Sequence, residues 1–267
     1  MGSEREAYLP PDLVDRVLSS TQDDVVLVGG QALAFWMDRY GIEHGLRQPA
    51  VSRNIDFFTP DAANTTPLLR FAEAIGGEAR IQDKRALTAL VGSAIAPAEG
   101  GLVYNVDLLH TVVGLNREDL FSNAMQAQTR NGTRFRVMHP LDVLQSRNAN
   151  LHRLREKQDA LGQQQFRLAI AVTRAWLEAE IDLLEGGSSL PVKKHERTKL
   201  DLIQAVADYA SEDAAKKNAA RYGIFLADAI PAWRIHVPEF WNKHWPQLRQ
   251  RMSPDYARQC EDRAGKT

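Results

Sequence analysis

Cysteine is nearly absent: Cys260 is the one cysteine in 267 residues, so no internal disulfide can form and burial must hold the fold. That usage fits a reducing compartment and predicts a cytoplasmic protein. Long apolar runs are missing too. None approaches the roughly 20 residues of a membrane-spanning helix, and no signal-peptide pattern opens the chain. No membrane partner is expected. Nor is there an excess of charge of one sign, since 33 Lys and Arg offset 34 Asp and Glu for a formal net charge of −1. Without a global basic field, nucleic-acid binding would need a local patch. Zinc-ligand spacings, internal repeats and nucleophile motifs are lacking, and the seven histidines are scattered. What remains is ordinary for a globular chain, with 44% hydrophobic and 25% charged residues and enough length for a proper core.

Two stretches organise this material. Val25-Val26-Leu27-Val28 reads as a buried strand that ends at Gly29-Gly30, after which Ala32, Leu33, Phe35 and Trp36 take helical spacing. A strand, two glycines and a helix can cradle phosphate, because glycine admits an anion close to the backbone and the helix start offers free N–H groups. The same glycines can equally serve a turn that needs positive φ. The second stretch is Ser52-Arg53-Asn54-Ile55-Asp56-Phe57-Phe58. In a strand Asn54, Asp56 and Phe58 share one face and Ile55 and Phe57 the other. Tyr104-Asn105-Val106-Asp107-Leu108-Leu109 repeats the pattern, with Asn105 and Asp107 on one face. Polar pairs on apolar strands need a cation or a hydrogen-bond network. Hard Mg²⁺ takes oxygen ligands, and two such ions can clamp the attacking and leaving oxygens of an in-line displacement.

These segments resemble the DNA polymerase β-type nucleotidyltransferase superfamily, whose pattern is Gly-Gly/Ser, then Asp-x-Asp, then a third Asp. Val-Gly-Gly-Gln-Ala-Leu with Ser-Arg-Asn-Ile-Asp-Phe-Phe is similar to its AbiEii-like branch, many of whose members are toxins of bacterial toxin–antitoxin or phage-defence pairs. The chain departs from the pattern twice. Asn54 stands where the family has the first carboxylate, and the spacer from Gly30 to Asn54 is longer than usual. The resemblance implies a Mg²⁺-dependent enzyme that moves an NMP from an NTP to an acceptor such as tRNA, another RNA or a protein, with a cognate antitoxin as a further partner. It implies Asp56, Asp107 and Asn54 as the catalytic and metal-binding positions. Asp107 would also help deprotonate the acceptor hydroxyl. Gly29, Gly30, Ser52, Arg53 and Arg147 are the implied nucleotide contacts.

Local patterns fill in the rest. Residues 9–20 read as a helix, and another runs from Gly30 to about Gly41. Residues 42–52 form a loop in which His44 and Arg47 could touch triphosphate or simply be solvated. A helix over 67–76 stops at Gly76-Gly77, and residues 79–95 alternate as one or two antiparallel strands. A helix over 117–127, an Asn131-Gly132 turn and a strand over 133–137 close the βαβαββαβ order.

From His139 the pattern is almost wholly helical. On a wheel of residues 140–155, Val143, Leu144, Leu151 and Leu154 lie within about 60° of Arg147, which places that arginine on an apolar face. It would either pair inside the protein or face a triphosphate; in the family this helix carries a Lys in a similar setting. Lys157 and Asp159 resemble a later family Arg/Lys-x-Asp step. A long helix is expected over 164–185 and another over 198–210. Trp233, Trp241 and Trp245 read as packing aromatics rather than a base-stacking platform. Lys193, Lys194, Arg197 and Lys199 read as a solvated basic stretch, the best contact for an RNA backbone if the acceptor is RNA.

The expected fold is α+β: a small mixed β-sheet nucleotidyltransferase core flanked by helices over residues 1–138, then an all-helical region over 139–267. Asn54 supports a second reading. In it the chain is a catalytically impaired protein of the same fold, natural or engineered, that binds nucleotide or a partner.

Overall fold

The computed structural model describes residues 6–43, 53–83, 87–129, 131–187 and 192–265. Ser52, His44 and Arg47 lie outside the described residues. The fold is mixed: a seven-stranded sheet flanked by helices, with a helical C-terminal region. The chain divides into two compact units, Met1–Phe35 with Gly45–Val143, and Trp36–His44 with Leu144–Thr267.

In the sheet unit, α1 (Pro11–Ser19) begins with Pro11 at its first position and Asp12 in its first turn, both favourable at a helix start. Then come β1 (Val26–Val28) and α2 (Gly29–Arg39), followed by β2 (Ile55–Phe58) and α3 (Thr66–Ile75). Three successive strands follow: β3 (Glu78–Ile81), β4 (Leu90–Pro97) and β5 (Val103–Leu109). A short α4 (Arg117–Asn123), then β6 (Met125–Gln128) and β7 (Arg134–Val137), complete it. The strand order is β3-β4-β5-β2-β1-β7-β6. The β2–β5 and β1–β7 pairs are parallel and the others antiparallel.

The apolar strand faces explain why this sheet is buried. All of β1 is buried, and Ile55, Phe57, Phe58, Val106 and Leu108 are fully so. Phe57 stacks on Phe71 of α3 at 4.6 Å between ring centres, and Arg70 of the same helix bonds Asp24 at 2.6 Å. α3 stops at Gly76, whose φ of 67° is the left-handed cap that glycine adopts without penalty.

Two expectations change here. The predicted helix over 117–127 ends at Asn123, and residues 125–128 form β6 in an antiparallel hairpin with β7. Asn116 caps the short helix, accepting from the N–H groups of Glu118 and Asp119, so the start was legible and the end was not. The residues expected as one or two strands over 79–95 are two, β3 and β4, which lie beside β5 at one end of a sheet larger than the βαβαββαβ order implied.

The helical unit is built around α6 (Ala160–Gly187), with Phe166, Ala169, Val172, Leu177 and Ile181 buried along one stripe. α5 (Pro140–Arg153) precedes it, and α7 (Val192–Ser211) and α8 (Asp213–Tyr222) follow. Farther on, α9 (Trp245–Arg249) and α10 (Pro254–Arg263) close the chain. Trp241, Trp245 and Phe240 are buried and in mutual ring contact, so these aromatics serve packing. Lys199 corrects the solvated basic stretch: it is 2% exposed, with its ammonium 2.7 Å from both Glu185 and Glu196. Burial alone would pull its pKa down, but those two carboxylates carry it above the ordinary lysine value. Among the described residues, no helix is long and apolar enough to cross a membrane.

Candidate active site

Asp56 and Asp107 are register partners on the parallel strands β2 and β5. The period of two in each strand therefore sets their side chains next to each other on one face. Asn54, just before β2, reaches the same place. Its amide nitrogen donates to Asp56 Oδ1 at 2.8 Å and to Asp107 Oδ2 at 2.8 Å. All three residues are half-buried, so the cluster is supported by the sheet yet accessible to solvent.

On the other side, β1 pairs antiparallel with β2 and puts Val28 opposite Asp56. The next residue, Gly29, turns the chain into α2 with φ of 68°. A Cβ on Gly29 would sit 2.1 Å from Asp56 Oδ2. Glycine is required here twice, for the left-handed turn and for the approach of the Asp56 carboxylate to the backbone. The result is a carboxylate lying against the start of a helix, where the dipole is positive. Gly30, the second glycine of the pair, has no positive φ.

Ser93 was not foreseen. It lies opposite Asp107 on β4, and its hydroxyl donates to Asp107 Oδ1 at 2.5 Å. The signal was faint: a lone hydroxyl in the run Gly92-Ser93-Ala94, on a strand whose partner could not be read locally. The N-terminal segment was also missed. Glu6 and Ala7 run beside Val103, and the Glu6 carboxylate accepts from Asn105 Nδ2 at 3.0 Å. Asn105 therefore serves that contact, whereas its strand neighbour Asp107 belongs to the Asp56 cluster. Arg53 is exposed, with its guanidinium 5.4 Å from the centre of the Tyr8 ring.

Arg147 belongs to the helical unit. It is buried on the apolar side of α5 with Leu144 and Leu151, as the wheel required, and Nη1 donates to Gln165 Oε1 on α6 at 3.2 Å. Leu154 falls beyond the end of α5. Asp159 caps α6, its carboxylate accepting from the Gly162 N–H at 2.7 Å.

Hard oxygen donors suit Mg²⁺; the Asp56 and Asp107 carboxylates and the Ser93 hydroxyl are such donors, whereas Asn54 turns its amide nitrogen to both carboxylates. Among the described residues no group of three or more His, Cys, Asp and Glu gathers as a metal site. Two carboxylates would fit one such ion and would hold a second poorly. No protein-family model matches the chain, and no curated protein matches it. Geometry therefore carries the functional argument.

Proposed function

We propose that the sheet unit is a Mg²⁺-dependent nucleotidyltransferase core that moves an NMP from an NTP to a hydroxyl of RNA, such as tRNA, or of a protein. The observation that carries this reading is the Asp56–Asp107 register pair, set against the glycine start of α2 and joined by Asn54. Asp56 and Asp107 would hold the ion, and the N–H groups at the start of α2 would meet the triphosphate. Bound Mg²⁺ supplies neutralisation of phosphate charge. The acceptor oxygen forms a bond to the α-phosphorus while the bond from that phosphorus to the β-phosphate oxygen breaks, and pyrophosphate leaves. Asp107 takes the hydroxyl proton. A cytoplasmic setting with a cognate antitoxin, in a toxin–antitoxin or phage-defence pair, belongs to the same reading.

The Asn54 amide favours a second reading, in which nucleotide binds and is transferred slowly or not at all. An amide carries no formal charge, and here its N–H₂ group already satisfies both carboxylates. The test is incorporation of labelled NTP into total cellular RNA and protein, using the chain, Asn54→Asp and an Asp56→Ala blank. The expected result is weak transfer by the chain and stronger transfer by Asn54→Asp at similar NTP affinity. Strong transfer unaltered by Asn54→Asp would show that position 54 is not a metal ligand. Silence from both, with NTP binding intact, would leave the binding protein.

A further inference from the structure

The four carboxylate oxygens of Asp56 and Asp107 are engaged in two different ways, all within the sheet unit. One oxygen of each is held by the scaffold. Asp56 Oδ2 lies against the Gly29 turn, where a Cβ would come 2.1 Å from it. Asp107 Oδ1 accepts from the Ser93 hydroxyl at 2.5 Å, and Ser93 is its register partner on β4 and only 9% exposed. The other two oxygens, Asp56 Oδ1 and Asp107 Oδ2, meet at a single atom. That atom is the Asn54 amide nitrogen, 2.8 Å from each.

Asn54 differs from the two anchors. Gly29 acts through its backbone, and Ser93 is buried within the β4–β5 ladder. Asn54 is half-buried in a bend just before β2. Its side chain can change rotamer about its own single bonds without breaking a strand pair. An amide is a donor at nitrogen and an acceptor at oxygen, so only the N–H₂ end can face two carboxylates at once. Placed there, its partial positive charge does part of what a cation does for neighbouring carboxylates, offsetting their repulsion. One side chain cannot hold both carboxylates with its nitrogen and offer its oxygen to an ion between them at the same time.

We propose that Asn54 is an internal competitor of the cation and gates the metal site. A divalent ion gains Asp56 Oδ1 and Asp107 Oδ2 together only when the Asn54 N–H₂ group turns away, while Gly29 and Ser93 keep the other two oxygens in place. The inference rests on the metal-binding part of the function proposed above and gives that site its regulation. Metal affinity is then lowered by the fraction of molecules in which the amide has turned. A brace or an oxygen ligand at position 54 predicts the opposite sign, since loss of either weakens metal binding.

The test is titration of the full chain with Mn²⁺, a hard ion suited to the same carboxylate donors as Mg²⁺, with free Mn²⁺ read by electron paramagnetic resonance. The natural chain is compared with Asn54→Ala, Asn54→Asp and an Asp107→Ala blank. Asn54→Ala is expected to bind Mn²⁺ at least about threefold more tightly than the natural chain, although it removes a potential oxygen donor. Asn54→Asp should also bind more tightly, and Asp107→Ala should lose the ion. Equal or weaker binding by Asn54→Ala, with tighter binding by Asn54→Asp, would overturn the gate and leave the metal site standing. No binding by any version, Asn54→Asp included, would remove the metal site and the gate with it. A second measurement covers the case in which Asn54→Ala fails to fold. In two-dimensional NMR of the isotope-labelled natural chain, the Asn54 side-chain N–H₂ signals, identified by their absence from Asn54→Asp, should shift as Mg²⁺ is added to saturation. Saturation with those signals unmoved would overturn the proposal.

Discussion

Asn54 donates a hydrogen bond to Asp107 across the β2–β5 pair at 2.8 Å, with the nitrogen that also reaches Asp56. One neutral amide thus keeps two carboxylates close together. An oxygen at the same position would face both of them with like charge.

Asn54→Asp is therefore expected to lose stability in metal-free buffer at pH 7, by roughly 1–2 kcal/mol, since two donor contacts become repulsions. Millimolar Mg²⁺ should restore it, while the natural chain should respond much less. Thermal unfolding with and without Mg²⁺ measures this. A variant whose midpoint ignores Mg²⁺ would show that the cluster holds no ion.

Gly29→Ala meets two obstacles, a φ of 68° and the Asp56 carboxylate 2.1 Å from the new methyl. Gly76→Ala meets only the first, because its φ is 67° and nothing lies within 4 Å. The expected costs are about 1 kcal/mol for Gly76→Ala and roughly 2–4 kcal/mol for Gly29→Ala. Mg²⁺–NTP affinity should fall only in the second. Equal costs in urea unfolding would mean that the Asp56 approach is easily relieved.

Arg147→Ala removes a buried side chain that bonds Gln165 within the helical unit. A loss of roughly 2–3 kcal/mol is expected from the cavity and the lost bond to Gln165. Nucleotide affinity, titrated at a temperature where the variant is folded, should stay near that of the natural chain. A large drop in affinity would instead assign Arg147 to the triphosphate, as the family resemblance implies.

His139 and Asp142 set opposite pH dependences at the start of α5. Burial pulls the His139 imidazole down from 6.5 to about 4, and its Nδ1 accepts from the Leu141 N–H, which suits the neutral ring. Burial, then the nearby Asp119 charge, pushes the Asp142 carboxyl up from 3.8 to about 6. As pH falls from 6.5 to 4, the unfolded chain gains a proton at His139 that the folded one refuses, so stability is lost. Over about the same window the folded chain gains a proton at Asp142 before the unfolded one does, so stability rises. The natural chain should therefore show a shallow profile between pH 4 and 6.5. His139→Gln should become more stable on acidification and Asp142→Asn less stable, each by roughly 2–3 kcal/mol. Urea midpoints measured across that range check the sign, and parallel slopes in all three proteins would contradict it.

Local periodicity was enough for much of this protein. The alternation in Asn54-Ile55-Asp56 and in Asn105-Val106-Asp107 put the right side chains on one strand face, and the wheel placed Arg147 on a buried stripe. These are one-dimensional facts, because the 2.0 and 3.6 residue periods need no partner to be read. The tertiary structure alone decided which strands are neighbours, and so made Asp107 the register partner of Asp56 and brought Ser93 to it. It turned residues 125–128 into a strand by giving them β7 to pair with, against the helix their neighbours suggested. It also buried Lys199, since a charge can leave water only where carboxylates from elsewhere meet it, and Glu185 comes from a different helix. Sequence spacing fixes which residues share a face; only the folded chain fixes what that face meets.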